Sequence, residues 1–278
     1  MVKKTAIQSF IIKILPHRLW VQMGFLLVWL DPMKLRMHSV CAPVFHCYAC
    51  PLSTFACPIG VMAQFSALHL FPFMAVGTLV LVGALLGSVL CGWICPFGLL
   101  QDLAAKIPLP KLTIPGWMGY FRYVVLIGTV IVVPYFWGEH HALFICTICP
   151  AGGLEKAVPD MVTAAIEGQP IPWPNVIKLS IIGVFLAAIF FSIRPWCRVL
   201  CPLGAIYGFF NRFSLLSLDL KENHCTDCGR CHTLCTYGGK PDKSPNSDQC
   251  VRCLECTRCG PGALQTSHIL AGKSESKE

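Results

Sequence analysis

Long apolar stretches separated by short polar, proline-containing segments dominate the first 213 residues. Residues 70–90 carry no charged side chain, residues 123–137 and 176–193 are nearly as apolar, and residues 20–30 form a shorter stretch. A helix of about 20 apolar residues crosses the hydrocarbon core of a membrane. The pattern therefore predicts an integral membrane protein with an all-α, four-helix transmembrane bundle over residues 18–213.

The distribution of charge supports four spans and predicts their orientation. With four spans, residues 1–17, the 91–122 loop and everything after residue 193 share one side, which carries most of the lysines and arginines. Positive residues concentrate on the cytoplasmic side, so both termini are expected in the cytoplasm of a prokaryotic cell, with the chain in its inner membrane. The net charge of +8 then reflects topology, and nucleic-acid binding is not expected.

The C-terminal part contains two cysteine quartets. Runs of C-x2-C-x2-C are typical ligands of [4Fe–4S] clusters, and in two-cluster ferredoxins the fourth cysteine of each run binds the other cluster. The sequence predicts an α+β dicluster ferredoxin over 214–265 and a flexible tail over 266–278. The predicted ligands are Cys225, Cys228, Cys231 and Cys259 for the first cluster, and Cys250, Cys253, Cys256 and Cys235 for the second. Zinc ligation and haem c attachment at Cys228-Gly-Arg-Cys231-His232 are the alternatives.

The apolar part repeats itself. Two spans end in C-x3-C-P groups, and each is preceded by a Cys-Pro group near the opposite side, which predicts two tandem two-helix repeats. Proline should end each span near the second cysteine and begin a new helix there. The repeat should bring together four thiols at the inner face, which make one [4Fe–4S] ligand set: Cys91, Cys95, Cys197 and Cys201.

The remaining Cys-Pro groups allow a second membrane cluster. By the same logic, Cys146 and Cys149 would join two of Cys47, Cys50 and Cys57 at the outer face. A rival arrangement gives each repeat its own cluster, for example with Cys50, Cys57, Cys91 and Cys95, and requires the outer loop to enter the membrane. Another alternative is that these cysteines are buried thiols without a metal.

The two C-x3-C-P groups at span ends, followed by the double quartet, resemble the NapH-type membrane ferredoxins, with NosR and CcoG as relatives. These are quinol-oxidising membrane subunits of periplasmic nitrate reductase systems. The resemblance implies an electron-transfer subunit of a quinol dehydrogenase type of complex, with menaquinone or ubiquinone, membrane lipids and other iron–sulfur or cytochrome subunits as partners. The outer cysteines are additions to that pattern and indicate a different system from nitrate reduction.

A quinol needs a proton acceptor near the membrane surface. Glu139, His140 and His141 follow the third span and are the predicted quinol site, while Gln101 and Asp102 are a second candidate at the inner face. We expect electron transfer between the quinone pool and partner redox proteins. Two other functions fit the same motifs: a CcoG-like assembly or maturation factor that reduces a metal or thiol, and a cluster-based redox sensor.

Overall fold

The computed structural model describes residues 13, 15–29, 57–112, 114–154, 158–168, 170, 176–259 and 263–268. Cys47, Cys50, the first twelve residues and the end of the predicted tail lie outside them. The helices are α1 (Arg18–Trp29), α2 (Pro58–Ala67), α3 (Phe73–Leu86), α4 (Val89–Trp93), α5 (Pro96–Ala105), α6 (Gly116–Trp137), α7 (Ile145–Ile148), α8 (Pro150–Gly152), α9 (Val158–Glu167), α10 (Val176–Phe191), α11 (Pro202–Phe210) and α12 (Arg230–Leu234).

The two predicted repeats pack against each other through the helices that follow the C-x3-C-P groups. Helix α5, from the first repeat, packs against α1 and against α10 of the second repeat. Helix α11, from the second repeat, packs against α6 and against α3 of the first. Each repeat thus contributes a short helix to the other, as two copies related by an axis along the bundle would do.

The four predicted apolar spans correspond to α1, α3, α6 and α10, and each of these helices has exposed apolar side chains. Trp20 is 70% exposed, Phe73 76%, Phe136 70% and Val184 71%. Among the described helices, α6 is the one candidate span by length and composition, with α3 and α10 as shorter apolar helices. A bundle with four membrane spans therefore stays a prediction.

The second predicted span is shorter than its sequence suggests, because a glycine interrupts it. The apolar stretch 70–90 predicts one continuous helix, but α3 ends at Leu86 and Gly87 takes a φ of +58°. A side chain at Gly87 would collide with Asn211 Oδ1, 2.7 Å from the added Cβ. The chain resumes as α4, so the first C-x3-C-P group lies on a separate short helix.

The C-terminal part forms a small α+β unit, as predicted. Strands β1 (Leu216–Leu220) and β2 (Leu264–His268) pair antiparallel, with Leu218 opposite Thr266. The second strand extends three residues past the predicted boundary at 265, because the residues up to His268 pair with β1, with His268 opposite Leu216. Along the chain, both cysteine runs lie between the two strands.

This C-terminal unit rests directly on the bundle. Its loop at 248–252 meets Gly92, where an added Cβ would lie 2.5 Å from the Val251 carbonyl oxygen. Arg252, which is 1% exposed, anchors the same loop. Its guanidinium donates to the oxygens of Leu86, Asn211, Ser214, Leu216 and Asn246. The unit is therefore held in one position by close packing and buried hydrogen bonds.

Gly92→Ala tests this contact. Because the new methyl group would meet a backbone carbonyl, which cannot rotate away, we expect destabilisation of about 1–3 kcal/mol and faster proteolysis of the C-terminal unit. Gly77→Ala is the matched control, since Gly77 lies in α3 with nothing within 4 Å of the added Cβ. Thermal unfolding and limited proteolysis in detergent measure both variants. Equal stability of the two would contradict the docked arrangement.

Candidate metal centres

The two C-x3-C-P groups adopt the same local structure. Cys95 and Cys201 both have extended backbone, with ψ of 118° and 112°, and Pro96 and Pro202 begin α5 and α11. Each of the two cysteines donates its backbone N–H to the carbonyl five residues earlier, over 2.9 Å in both cases. The predicted end of the preceding helix and start of a new one at each proline are confirmed.

These two groups line one cavity. The narrow space, about 20 Å³, is bounded by Cys91, Cys95, Cys197 and Cys201, together with Arg122, Asp248 and Cys250. Four thiols around one space are the donor set that a [4Fe–4S] cluster requires, so the residues fit such a group by their chemistry. The backbone N–H of Gly204 also donates to Cys201 Sγ over 3.3 Å, as is favourable for a thiolate.

The first C-terminal ligand set surrounds a larger cavity. Its volume is about 180 Å³, and its walls include Cys225, Cys228, Cys231 and Cys259. Cys228 is exposed, and hydrogen bonds from the backbone of Arg230 and the side chain of Thr226 lower its pKa. Burial raises the pKa of Cys231 and Cys259. The structure thus brings together the four thiols predicted for one cluster, including Cys259 from the second run.

Two thiols of the second C-terminal set, Cys253 and Cys256, are buried, and Cys235 and Cys250 are partly buried. Desolvation raises the pKa of Cys253 to about 12, and that of Cys256 is raised by burial and then by the nearby thiols of Cys253, Cys250 and Cys235. Backbone N–H groups already point at two of these sulfurs. Gly239 donates to Cys235 Sγ over 3.2 Å, and Arg252 donates to Cys250 Sγ over 3.4 Å. The arrangement favours a bound cation that would hold these thiols as thiolates.

Both C-terminal cysteine runs turn in the same way. The residues on either side of the second cysteine have positive φ in each run: Asp227 and Gly229 in the first, and Arg252 and Leu254 in the second. Such values are strained for a bulky residue such as Leu254 and persist only when the surroundings impose them. The shared turn lets three cysteines so closely spaced face one point.

Two charged side chains, Asp102 and Arg194, lie beside the inner thiols and connect the segments that carry those thiols. The Asp102 carboxylate accepts hydrogen bonds from Arg18 (2.5 Å), from Arg194 Nε (2.7 Å) and from the Tyr237 hydroxyl (3.1 Å). Arg194 is fully buried and also donates to the Cys91 carbonyl over 2.9 Å. Asp102, a predicted proton acceptor for quinol, therefore forms ion pairs with two arginines.

The other Cys-Pro groups lie deeper than the sequence suggested. Helix α2 runs parallel to the second half of α6, since Ser66 bonds to the Ile131 carbonyl and His69 stacks on Tyr135. Cys57, at the start of this 10-residue helix, is therefore about 15 Å from the turn at 68–72, toward the C-terminal unit. An added Cβ at Gly60 would lie 3.7 Å from Cys146 Sγ and 3.9 Å from Cys57 Sγ, so these two thiols are neighbours.

This placement bears on the two predicted arrangements of membrane clusters. The outer segment does enter the bundle, as the one-cluster-per-repeat arrangement requires. However, Cys91 and Cys95 share their cavity with Cys197 and Cys201, and Cys57 is not among its walls. The geometry favours one set at the inner end and a separate group around Cys57 and Cys146, with Cys149 in the same apolar cluster as Cys57.

The predicted quinol site lies at the surface, just after the end of α6. His140 is 95% exposed at its side chain and lies 3.7 Å from Glu139, and His141 accepts from the backbone N–H of Leu143. The two cavities described above lie elsewhere. Proton acceptance from a quinol by Glu139, His140 or His141 stays a prediction.

His232 and Asp242 bear on the zinc alternative. His232 Nε2 is hydrogen-bonded to Asp242, and this bond lowers the pKa of that carboxyl. Cys231, His232 and Asp242 have ligand atoms within 4.8 Å of one another, as a zinc site could use. Cys231 also belongs to the four-thiol cavity, where Cys225, Cys228 and Cys259 supply three further sulfurs. The four-thiol set is the more complete of the two.

Gln101, Arg194 and Arg252 were not predicted as parts of these sites. Gln101, which lies five residues past the first C-x3-C-P group, donates from Nε2 to Cys197 Sγ over 3.1 Å. The one signal that the sequence offers for Arg194 is its positive charge between the last apolar stretch and the second C-x3-C-P group. Gln101 was a candidate at the inner face for a quinol and not for a metal centre, and Arg252 had no signal in the sequence.

Comparison with known proteins identifies the repeats as iron–sulfur domains. A family model described as a 4Fe-4S binding domain matches residues 68–115 and 175–220, the two segments that contain the C-x3-C-P groups. The chain thus contains two segments of a 4Fe-4S binding domain and is similar to ferredoxin-type and electron-transport proteins, which agrees with the predicted resemblance to the NapH-type membrane ferredoxins.

Several curated relatives are similar over much of the chain. The uncharacterized protein MJ0750 of Methanocaldococcus jannaschii is 28% identical over 86% of this chain and 98% of its own length. YccM of Escherichia coli, whose name assigns it to electron transport, is 23% identical over 78% of this chain and 61% of its own. The regulatory protein NosR of Stutzerimonas stutzeri is 28% identical over 61% of this chain and 23% of its own. No solved structure matches the chain.

Asp102→Asn tests the ionic group beside the inner thiols. Removing the carboxylate charge leaves Arg18 and Arg194 buried without their partner, so we expect a loss of about 3–5 kcal/mol in the free energy of unfolding. Asp219→Asn, an exposed position on β1, is the matched control and should change stability by less than about 0.5 kcal/mol. Denaturant unfolding in detergent compares them. Equal stability of the two variants would mean that the ionic group is dispensable.

Proposed function

We propose that this chain is a membrane-embedded electron-transfer subunit that passes electrons between the quinone pool and partner redox proteins through several [4Fe–4S] clusters. The observation that carries this proposal is the convergence of Cys91, Cys95, Cys197 and Cys201, from two repeats, on one cavity. When bound, [4Fe–4S] clusters accept and donate single electrons. The protein holds the thiols in fixed positions relative to one another.

The relative positions of the thiol sets support a relay. Cys250 belongs to the second C-terminal set and also lines the inner cavity, so these two sets adjoin. The loop that carries Cys250 is fixed to the bundle by a hydrogen bond from Ser88 Oγ to the Cys250 carbonyl, over 2.6 Å. The first C-terminal set is the exposed one, because Cys228 faces solvent. A partner would therefore exchange electrons there.

The exposed apolar side chains support membrane embedding. Soluble proteins rarely expose large contiguous apolar surfaces. Here the four helices α1, α3, α6 and α10 each carry exposed apolar side chains. In this proposal both termini are cytoplasmic and the C-terminal sets extend the relay into the cytoplasm. Cys57, Cys146 and Cys149 belong to a further set, which Cys47 or Cys50 would complete, and Glu139, His140 and His141 accept protons from a quinol.

Iron content tests the number of clusters. We expect about 12 Fe per chain if the inner set binds a cluster, about 16 if the group around Cys57 does as well, and about 8 if only the C-terminal sets do. The double variant Cys91→Ser, Cys197→Ser should lose about four iron atoms and one spectroscopic signal. Cys41→Ser is the matched control, since Cys41 belongs to none of the proposed sets. About 8 Fe in the unmodified chain would overturn the proposal for the inner set.

Reduction by quinol separates this function from a sensor, which the name of the regulatory relative NosR makes the second candidate. We expect a menaquinol or ubiquinol analogue to reduce the clusters of the purified chain in liposomes, with the response followed by visible absorption and electron paramagnetic resonance. Clusters that dithionite reduces but quinol does not would favour the sensor. Activity toward a copper or disulfide substrate would favour an assembly factor.

A further inference from the structure

One buried side chain outside the cysteine sets touches an inner thiol. Gln101 lies in α5, is fully buried, and places its amide Nε2 3.1 Å from Cys197 Sγ. The contact crosses between repeats, because α5 belongs to the first and Cys197 to the second. Gln101 is therefore a neighbour of the proposed inner cluster without being one of its ligands.

The orientation of the Gln101 amide is determined by a second partner. Nε2 also donates to the Phe97 carbonyl, over 3.1 Å. A carbonyl oxygen can only accept, so a rotated amide would place its own oxygen against it. The N–H group, and not the oxygen, therefore faces the sulfur.

The equivalent position in the second repeat carries a different residue. Counted from the second cysteine of each group, Gln101 corresponds to Tyr207, which is also fully buried. The repeat therefore does not require glutamine here for packing alone. The two repeats therefore differ at this position, and the first repeat places a side-chain amide beside Cys197.

We propose that Gln101 raises the reduction potential of the inner cluster through its N–H···S hydrogen bond to Cys197. This inference rests on the proposed function. Adding one electron increases the negative charge on the cluster and its sulfur ligands, so a donor to the sulfur stabilises the reduced state more than the oxidised state. Gln101 moves no proton and binds no iron; it is a positioning residue that acts through Cys197.

The test is a redox titration of the full-length chain in detergent, with mediators and dithionite, followed by electron paramagnetic resonance. The signal missing from the Cys197→Ser variant identifies the inner cluster. We expect Gln101→Leu to keep the iron content and to shift that signal to a lower midpoint potential. Gln101→Glu, which keeps the size of the side chain and replaces the N–H donor by oxygen, should shift it in the same direction.

Gln22→Leu is the matched control. Gln22 is another fully buried glutamine, in α1, and its Nε2 donates to the Gly92 carbonyl instead of to a sulfur. It should leave the midpoint potential of the inner cluster unchanged, and the signals of the C-terminal clusters should stay in place in every variant. Those signals also show that each variant has folded.

The outcomes separate this inference from the proposed function. A lower midpoint in both Gln101 variants, with full iron content, supports it. An unchanged midpoint with full iron content overturns this inference alone. An unmodified chain without the signal that depends on Cys197 overturns both. An equal shift in Gln22→Leu would assign the effect to general packing and overturn the role of the N–H···S bond.

Discussion

The carboxylate of Asp102 is the point on which the arrangement of the chain depends. Arg18 begins α1, Asp102 lies in α5, Arg194 precedes the second C-x3-C-P group, and Tyr237 belongs to the C-terminal unit. Burying any one of these four polar side chains alone would cost free energy, and the hydrogen bonds among them offset that cost. Their hydrogen bonds can all form only if both repeats and the C-terminal unit occupy their observed positions.

That constraint has a consequence for electron transfer. Electron transfer between buried centres depends on fixed separations, and here the C-terminal unit contacts the bundle through Gly92 and Arg252 with little freedom to shift. Cys250 consequently belongs to the wall of the inner cavity as well as to its own set. The C-terminal unit is therefore part of the architecture of the inner site and not a domain on a flexible linker.

The local structure of the sites could be predicted because it depends on neighbours in the chain. Proline after Cys95 and Cys201 cannot continue the preceding helix, and so the helix boundaries followed from the sequence. The second span was predicted too long, because a single glycine in an apolar run does not reveal that Asn211 needs its space. The position of Gln101 after the first C-x3-C-P group predicted its place at the inner face, but its contact with Cys197 joins residues distant in the sequence.

The sequence by itself determined the kinds of ligand, the repeats, the helix starts at the Cys-Pro groups and the double cysteine run of the C-terminal unit. These follow from spacing and from the short-range stereochemistry of proline and glycine. The repeat also predicted that Cys91 and Cys95 lie with Cys197 and Cys201, and the tertiary structure decided between that arrangement and its rival. Only the tertiary structure decided that Cys57 enters the bundle beside Cys146 and that two arginines bind Asp102. Such pairings depend on how helices pack, and packing joins residues whose separation along the chain carries no signal.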